Sequence, residues 1–391
     1  MSSAARTHGL DGTLVAPDWP ALTLSELREL LAKYPECGEP TRILSVSPRP
    51  FSAASVVETL IRPVFVKRHH RSVRDREGLL EEHRFIAHLR QHGVPVPRVV
   101  AALSGETAIE DGEWTYEVHE RPSGIDLYED AISWTPFRSV AHARSAGHAL
   151  AGLHLASQSY AGPARRVQPL VASFSIFRAA DPASAMEDYL AGRPALNSDA
   201  GTRRCCAQAL ELLAPFHAEL IPLLPSLMPM WTHNDLHASN LFWTEASEEA
   251  QAVAIIDFGL ADKTNAVHDL AHAIERNIVE WLALVQNADH PEDVPVHLDH
   301  LRAFLEGYEQ VRPLSVEEAA ALAPMTALCH AEFALTEGDY FLCVLHSDEK
   351  ARVATEDYLV GHARWFHSSA GQRLLGALRK WAEVHERAVA R

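Results

Sequence analysis

The chain has 391 residues, 47% hydrophobic and 22% charged, with a formal net charge of −17. That is ordinary globular composition, enough for two or three lobes around a large core, and it speaks against wholesale disorder and against a basic surface that grips nucleic acid. With no run of 18 apolar residues, no apolar stretch in Met1–Gly12 and five cysteines without a CxxC pair, a cytoplasmic protein with reduced thiols, no signal peptide and no membrane contact is expected.

Residues 1–21 read as a loose arm. Thr23 or Ser25 caps a short helix reaching Tyr34, with Leu24, Leu27, Leu30 and Leu31 on one face. Extended segments follow near Ile43–Val46, Val56–Ile61 and Val64–Lys67. A long helix over Glu77–Gln91 places Leu80, Phe85, Ile86 and Leu89 at helical spacing, and Pro95 and Pro97 stop it. Two more strands are expected at Val99–Leu103 and Trp114–His119. Residues 22–120 thus form a lobe of strands with one long helix. Pro122 and Gly124 mark the junction to a lobe of residues 121–391. Helices dominate there: Ala141–Leu155, Ala207–Leu220, Asp269–Val285, Leu301–Tyr308, Val316–Cys329 and Gln372–Ala388. Strands at Met230–Thr232, Leu241–Trp243 and Val253–Ile256 interrupt them. The polar stretch Asn287–His300 reads as a loop.

The strongest signal is His233-Asn234-Asp235-Leu236-His237-Ala238-Ser239-Asn240, followed by Ile255-Ile256-Asp257-Phe258-Gly259. Hairpin pairing would bring Asn240, at the start of one strand, beside Asp257, at the end of the other. An amide oxygen next to a carboxylate is a hard-oxygen site that suits Mg²⁺, whose other ligands are usually waters and phosphate oxygens. Asp235 is then left to orient and deprotonate an incoming hydroxyl. Upstream, Lys67 ends a strand and Glu82 lies fifteen residues later in the long helix. A strand lysine held by a helical glutamate aims an ammonium at the α- and β-phosphates of ATP.

These residues resemble the aminoglycoside phosphotransferase and choline kinase superfamily. Its H-x-D-x-x-x-x-N loop is met by His233, Asp235 and Asn240, its D-x-G by Asp257 and Gly259, its strand lysine by Lys67 and its helical glutamate by Glu82. Val94-Pro95-Val96-Pro97 and Asp269-Leu270-Ala271 also fit. The resemblance covers about residues 40–285. It implies an α+β, bilobal protein-kinase-like fold: a small antiparallel-sheet lobe with one long helix, and a larger, mainly helical C-terminal lobe. It further implies ATP in the cleft near His119 and Glu120, Mg²⁺ on Asn240 and Asp257, and Asp235 as the catalytic base. His233 and Asp269 are expected to support the catalytic loop.

Three departures stand out. The loop that should cover the phosphates, Ser47–Ser55, has no glycine, so Ser52 and Ser55 hydroxyls are expected to meet the phosphates. Asn234 replaces a glycine common in the antibiotic kinases. Pro122 falls near the position that donates a backbone N–H to adenine, and proline has none.

The basic run from Lys67 to Arg71 reads as a solvated turn, Cys205-Cys206 as packing, and the histidines of Asn287–His300 as loop residues without metal-ligand spacing. The expected activity is transfer of the γ-phosphoryl group of ATP to a hydroxyl of a small, amine-bearing alcohol or sugar. Carboxylates among Asp262, Asp269, Glu275, Glu280, Glu332, Glu337 and Asp339 would receive a cationic acceptor. The competing expectations are a bacterial Ser/Thr protein kinase of the same fold and a nucleotide-binding pseudokinase.

Overall fold

The computed structural model describes residues 17–47, 50–286 and 290–389. Helix α1 (Leu24–Leu31) starts at a capping box in which Thr23 and Glu26 satisfy each other's backbone N–H groups. Five strands follow: β1 (Pro40–Val46), β2 (Ala53–Thr59), β3 (Val64–His70), β4 (Ala108–Asp111) and β5 (Trp114–Glu120). They form one antiparallel sheet in the order β1-β2-β3-β5-β4.

Alternation along β3 and β5 gives this sheet two different faces. Val64, Val66 and Val118 are buried with Leu27, Leu30 and Leu31 of α1 in a core of their own. Phe65, Lys67 and His69 occupy the opposite face, and their register partners His119, Glu117 and Thr115 accompany them. Helix α2 (Arg76–Gln91), N-capped by Asp75, packs over this polar face. Its Phe85, Ile86 and Leu89 enter the large core of the C-terminal lobe, while its His83 meets Glu117 of the sheet's polar face at 2.8 Å, so α2 ties that face to the second lobe.

Beyond β5 the chain crosses to the second lobe. Ile125 exchanges two backbone hydrogen bonds of 2.9 Å with Trp243, and Gly124 there has φ +92°. A Cβ at Gly124 would lie 2.6 Å from the Trp243 carbonyl oxygen, so a side chain is excluded by both conformation and space. The C-terminal lobe contains α3 (Val140–Ser157), α4 (Pro182–Ala191), α5 (Pro194–Ser198) and α6 (Ala200–Leu220), then β6 (Pro229–Thr232), β7 (Leu241–Trp243), β8 (Ala252–Ile255) and β9 (Asp262–Asn265). After these come α7 (Ala266–Ile278), α8 (Trp281–Gln286), α9 (Leu298–Glu309), α10 (Val316–Leu328), α11 (His330–Cys343), α12 (Asp348–Arg352), α13 (Gly361–Trp365) and α14 (Ser369–Val389). The fold is therefore the expected α+β arrangement, a five-stranded antiparallel lobe followed by a mainly helical one. No described helix is long and apolar enough to cross a membrane.

Several local expectations are corrected. Val99–Leu103 contributes only a single bridge, Val99 to His119; the edge strand is Ala108–Asp111, turned at Asp111-Gly112 with Gly112 at φ +58°. The basic run is not a solvated turn. It continues β3, with Arg68 and His69 buried, because distant carboxylates meet them: Glu26 at 2.7 Å and Glu117 at 3.0 Å. Residues 17–20 of the arm are held in place, for Arg68 donates to the Pro20 carbonyl and Asp18 to that of Pro50. Residues 1–16 lie outside the described residues. So do Pro48 and Arg49 of the loop expected to cover the phosphates, and residues 287–289 of the stretch Asn287–His300. All five cysteines are free thiols.

Candidate active site

The loop from His233 to Asn240 leaves β6, which pairs with β9, and enters β7, which pairs with β8. Asp269, in the first turn of α7, fixes how it leaves. Its two carboxylate oxygens accept the backbone N–H groups of His233 and Asn234, each at 2.8 Å. His154 of α3 lies 3.0 Å from the same carboxylate and 2.7 Å from the Tyr308 hydroxyl. Burial pushes the Asp269 carboxyl up, but His154 and His233 more than offset this and hold it below the usual carboxylate range.

Asn234 turns the chain at φ +61°, a left-handed conformation that asparagine tolerates. Its amide oxygen accepts from the hydroxyls of Thr232 and Thr264 at 2.8 and 3.1 Å. The His233 ring bridges two functional segments. Nδ1 accepts from the Asp235 backbone N–H at 3.2 Å and Nε2 donates to the Ile256 carbonyl at 2.9 Å, one residue before Asp257. A second clamp comes from Asn277 of α7, which accepts from the Ala238 N–H at 3.0 Å and donates to the Leu236 carbonyl at 2.8 Å.

Asp235 meets Arg276 at 3.4 Å and His237 at 3.7 Å. The Asn240 amide nitrogen donates to the Asp235 carbonyl at 2.9 Å. With that nitrogen committed, the amide oxygen is the donor Asn240 can offer a metal. Ile256 N–H bonds the Asn240 carbonyl at 2.9 Å, so strand pairing seats Asn240 next to the residue before Asp257. Asp257 has φ +60° and its carboxylate lies 3.0 Å from the Lys67 ammonium. Burial pushes Asp257 up, and Lys67 overrides it to hold the carboxyl far below its ordinary range. Burial likewise lowers Lys67, but Asp257, Glu117 and Glu82 together raise it.

Lys67, Glu82, His119, Glu120, Asn240 and Asp257 line one cleft of about 390 Å³ between the lobes. Asp235 is not among the lining residues; its backbone carbonyl accepts from the amide of Asn240, which is. An amide oxygen and an ionised carboxylate side by side fit a hard divalent cation.

Other expected contacts differ. Lys67 pairs with Asp257 rather than Glu82, although Glu82 lines the same cleft. The Glu120 carboxylate is taken by Arg62 at 2.5 Å and Arg98 at 2.9 Å. Ser52 and Ser55 are buried and lie outside the cleft lining, which from this region contains Ser45, Val46 and Ser47 instead. The β2 alternation turns Ser55 away from the cleft and Val56 toward it. Of the candidate acceptor carboxylates, Glu332 is spent on the Ser173 hydroxyl and the N–H groups of Ser175 and Ile176, and Asp262 on the Arg165 N–H. Glu275 is held by His362 at 2.9 Å.

Sequence reading missed Glu117, His154, Arg276 and Asn277. Glu117 had a signal: polar Thr115, Glu117 and His119 alternate with buried Tyr116 and Val118. Arg276 and Asn277 lie seven and eight residues after Asp269, two helical turns along.

The model of a family described as "Phosphotransferase enzyme family" matches residues 51–314. A homoserine kinase of Rhodospirillum rubrum is 29% identical over 252 residues, covering 64% of this chain and 66% of that protein, so the match spans slightly under two thirds of the relative's length. Among solved structures, a microcompartment-associated aminopropanol kinase superposes with a TM-score of 0.61 at 19% identity, covering 91% of this chain and 98% of the other. An amicoumacin kinase, solved with AMP-PNP, Ca²⁺ and amicoumacin, gives 0.55 at 13% identity, covering 88% and 96%.

Proposed function

Starting from the fact that this chain belongs to the phosphotransferase enzyme family, we propose that it transfers the γ-phosphoryl group of ATP to a hydroxyl of a small, amine-bearing alcohol. The observation that carries this reading is the convergence of Lys67, Asn240 and Asp257 on one cleft, with Asp235 hydrogen-bonded to Asn240. Each side chain has one task. Lys67 presents a permanent positive charge to the α- and β-phosphates, while Asn240 and Asp257 would hold Mg²⁺. The metal supplies neutralisation of the charge developing on the phosphates. Asp235 orients the acceptor hydroxyl and takes its proton, and Asp269, through the His233 and Asn234 N–H groups, keeps that carboxylate on station.

Support for an amine-bearing acceptor comes from charge. Asp126, Glu129 and Asp130 line the cleft after β5. Such an excess of carboxylates favours an ammonium group over an anion. The names of the relatives, a homoserine kinase and an aminopropanol kinase, belong to the same chemical class.

The test is ATP consumption by the full chain with Mg²⁺, screened against hydroxy amino acids, amino alcohols, choline analogues, amino sugars and aminoglycosides. Turnover is expected with a small amine-bearing alcohol. No turnover on any acceptor, with a Tm unmoved by Mg²⁺-ATP, would reject the reading. Phosphate appearing on protein in a lysate would transfer it to the protein-kinase alternative.

A further inference from the structure

On the polar face of the N-terminal sheet, three imidazoles surround one buried carboxylate. His69 of β3 lies 3.0 Å from Glu117 Oε1, while His83 of α2 and His119 of β5 each lie 2.8 Å from Glu117 Oε2. The ligand atoms of His83, Glu117 and His119 all fall within 4.8 Å of one another. The proposed phosphoryl transfer gives His69 and His83 no task and His119 only a place in the cleft lining, and a hydrogen-bonded glutamate does not require three imidazoles.

We propose that His83, His119 and Glu117 form a binding site for one transition-metal cation of the zinc class, separate from the magnesium site on Asn240 and Asp257. Two imidazoles and a carboxylate, with a fourth position open, match the donor set such cations take. Bonds of about 2.0–2.1 Å set tetrahedral edges of about 3.3 Å. The present 2.8 Å contacts therefore need to open by roughly half an ångström. His83 is already oriented: its Nδ1 lies 2.9 Å from the Thr107 hydroxyl, the outer hydrogen bond that fixes a metal-binding histidine. Thr107 directs Nε2 toward Glu117. Burial pushes Glu117 up, but the imidazoles dominate and keep it ionised well below its ordinary range. His119 and Glu117 also line the nucleotide cleft, which gives the ion a route in and leaves its open position facing the cleft.

The site adjoins the cleft proposed to hold the nucleotide. Glu117 is the register partner of Lys67 on β3, so a dication there repels the ammonium that should meet the phosphates. Occupancy should therefore weaken ATP binding and raise its KM.

The experiment uses the full chain, freed of metal with a chelator and titrated with Co²⁺, whose visible absorption reports tetrahedral coordination, and then with Zn²⁺ in competition. One saturable site is expected, lost in His83→Gln and in His119→Gln. Thr107→Val, a milder change, should weaken it about 10–100-fold with the circular dichroism spectrum unaltered. His300→Ala should leave it intact; this variant removes a second metal-capable group, His297, Asp299 and His300. Zn²⁺ should raise the KM for ATP in the wild type and not in His83→Gln. Absence of a saturable band, or a band that survives His83→Gln, overturns the proposal. The absorption readout needs no turnover, so it stands or falls apart from the kinase reading.

Discussion

At the scale of single residues, Asp235 carries the sharpest prediction. Its contacts with Arg276, His237 and Asn240 position it, and removing a general base costs about 10²–10⁴ in rate. Asp235→Asn should lower kcat by that amount while leaving the Tm shift produced by Mg²⁺-ATP intact, because Asp235 is not needed to hold the nucleotide. Near-native turnover in this variant would remove Asp235 from the chemistry. Glu337 offers a pH test. Burial raises its carboxyl to about 8, against the opposing pull of Arg276 and with Asp235 and Glu275 adding to the rise. A glutamate in the unfolded chain titrates near ~4.3. Between about pH 4.3 and 8 the folded state therefore binds more protons than the unfolded state, and stability falls as pH rises through that window. Glu337→Gln should remove this slope, so its Tm should gain on the wild type from about pH 5 to about pH 8. Parallel Tm curves would mean that Glu337 ionises like an exposed glutamate.

At the scale of elements, α3 and α9 show how packing reaches the chemistry. A Cβ at Gly147 would lie 2.0 Å from the Phe304 carbonyl oxygen, and one at Gly307 equally close to that of Arg144. The two backbones touch because neither glycine has a side chain. Helix α3 also carries His154, which holds Asp269 and hence the catalytic loop. Gly147→Ala should cost about 1–3 kcal/mol through overpacking and lower kcat as well, measured as a reduced Tm together with slower turnover in the surviving folded enzyme. Elements whose pattern is locally written were legible. The Leu and Phe spacing of α1 and α2 and the prolines after α2 gave those helices, and the motif around Asp235 and Asp257 gave β6, β7 and β8. Helix α11 was not legible, because Glu332, Glu337 and Asp339 interrupt its apolar face. They are buried there on the strength of distant partners such as Ser173, Ser175 and Arg193. The same holds for the site. Asp235, Asn240 and Asp257 announce themselves by spacing, whereas the partner of Lys67 is decided by which carboxylate the tertiary fold brings within 3.0 Å.

At the scale of the molecule, the absence of glycine from the loop proposed to cover the phosphates acquires a physical reason. Glycines let such a loop wrap phosphates through its own backbone. Here the segment from Pro50 onward is fastened from outside. Asp18 N–H bonds the Pro50 carbonyl at 3.1 Å, and the Trp19 indole donates to that of Phe51 at 3.1 Å. The Asp18 carboxylate reaches the other lobe, accepting from the Tyr340 hydroxyl of α11 at 3.0 Å and from Lys350 of α12 at 2.6 Å. The Phe51 ring meets Tyr340 edge-on with centroids 5.1 Å apart. Residues 18–19 thus link the strand pair beside the cleft to α11, which carries Glu337 and Asp339, and to α12, and a segment fastened at Pro50 and Phe51 has no use for glycine freedom. Hydrogen bonds to a charged group contribute about 1.5–3 kcal/mol each. If about 1.4 kcal/mol of that reaches the bound nucleotide, Asp18→Ala should raise the KM for ATP roughly tenfold. Hydrogen exchange should speed up at Phe51 and through β2, and kcat should change less, because Asp18 touches no reacting group. An unchanged KM together with unchanged exchange in β2 would show that the cleft holds its shape without this link, and the missing glycines would then need a cause within the loop itself.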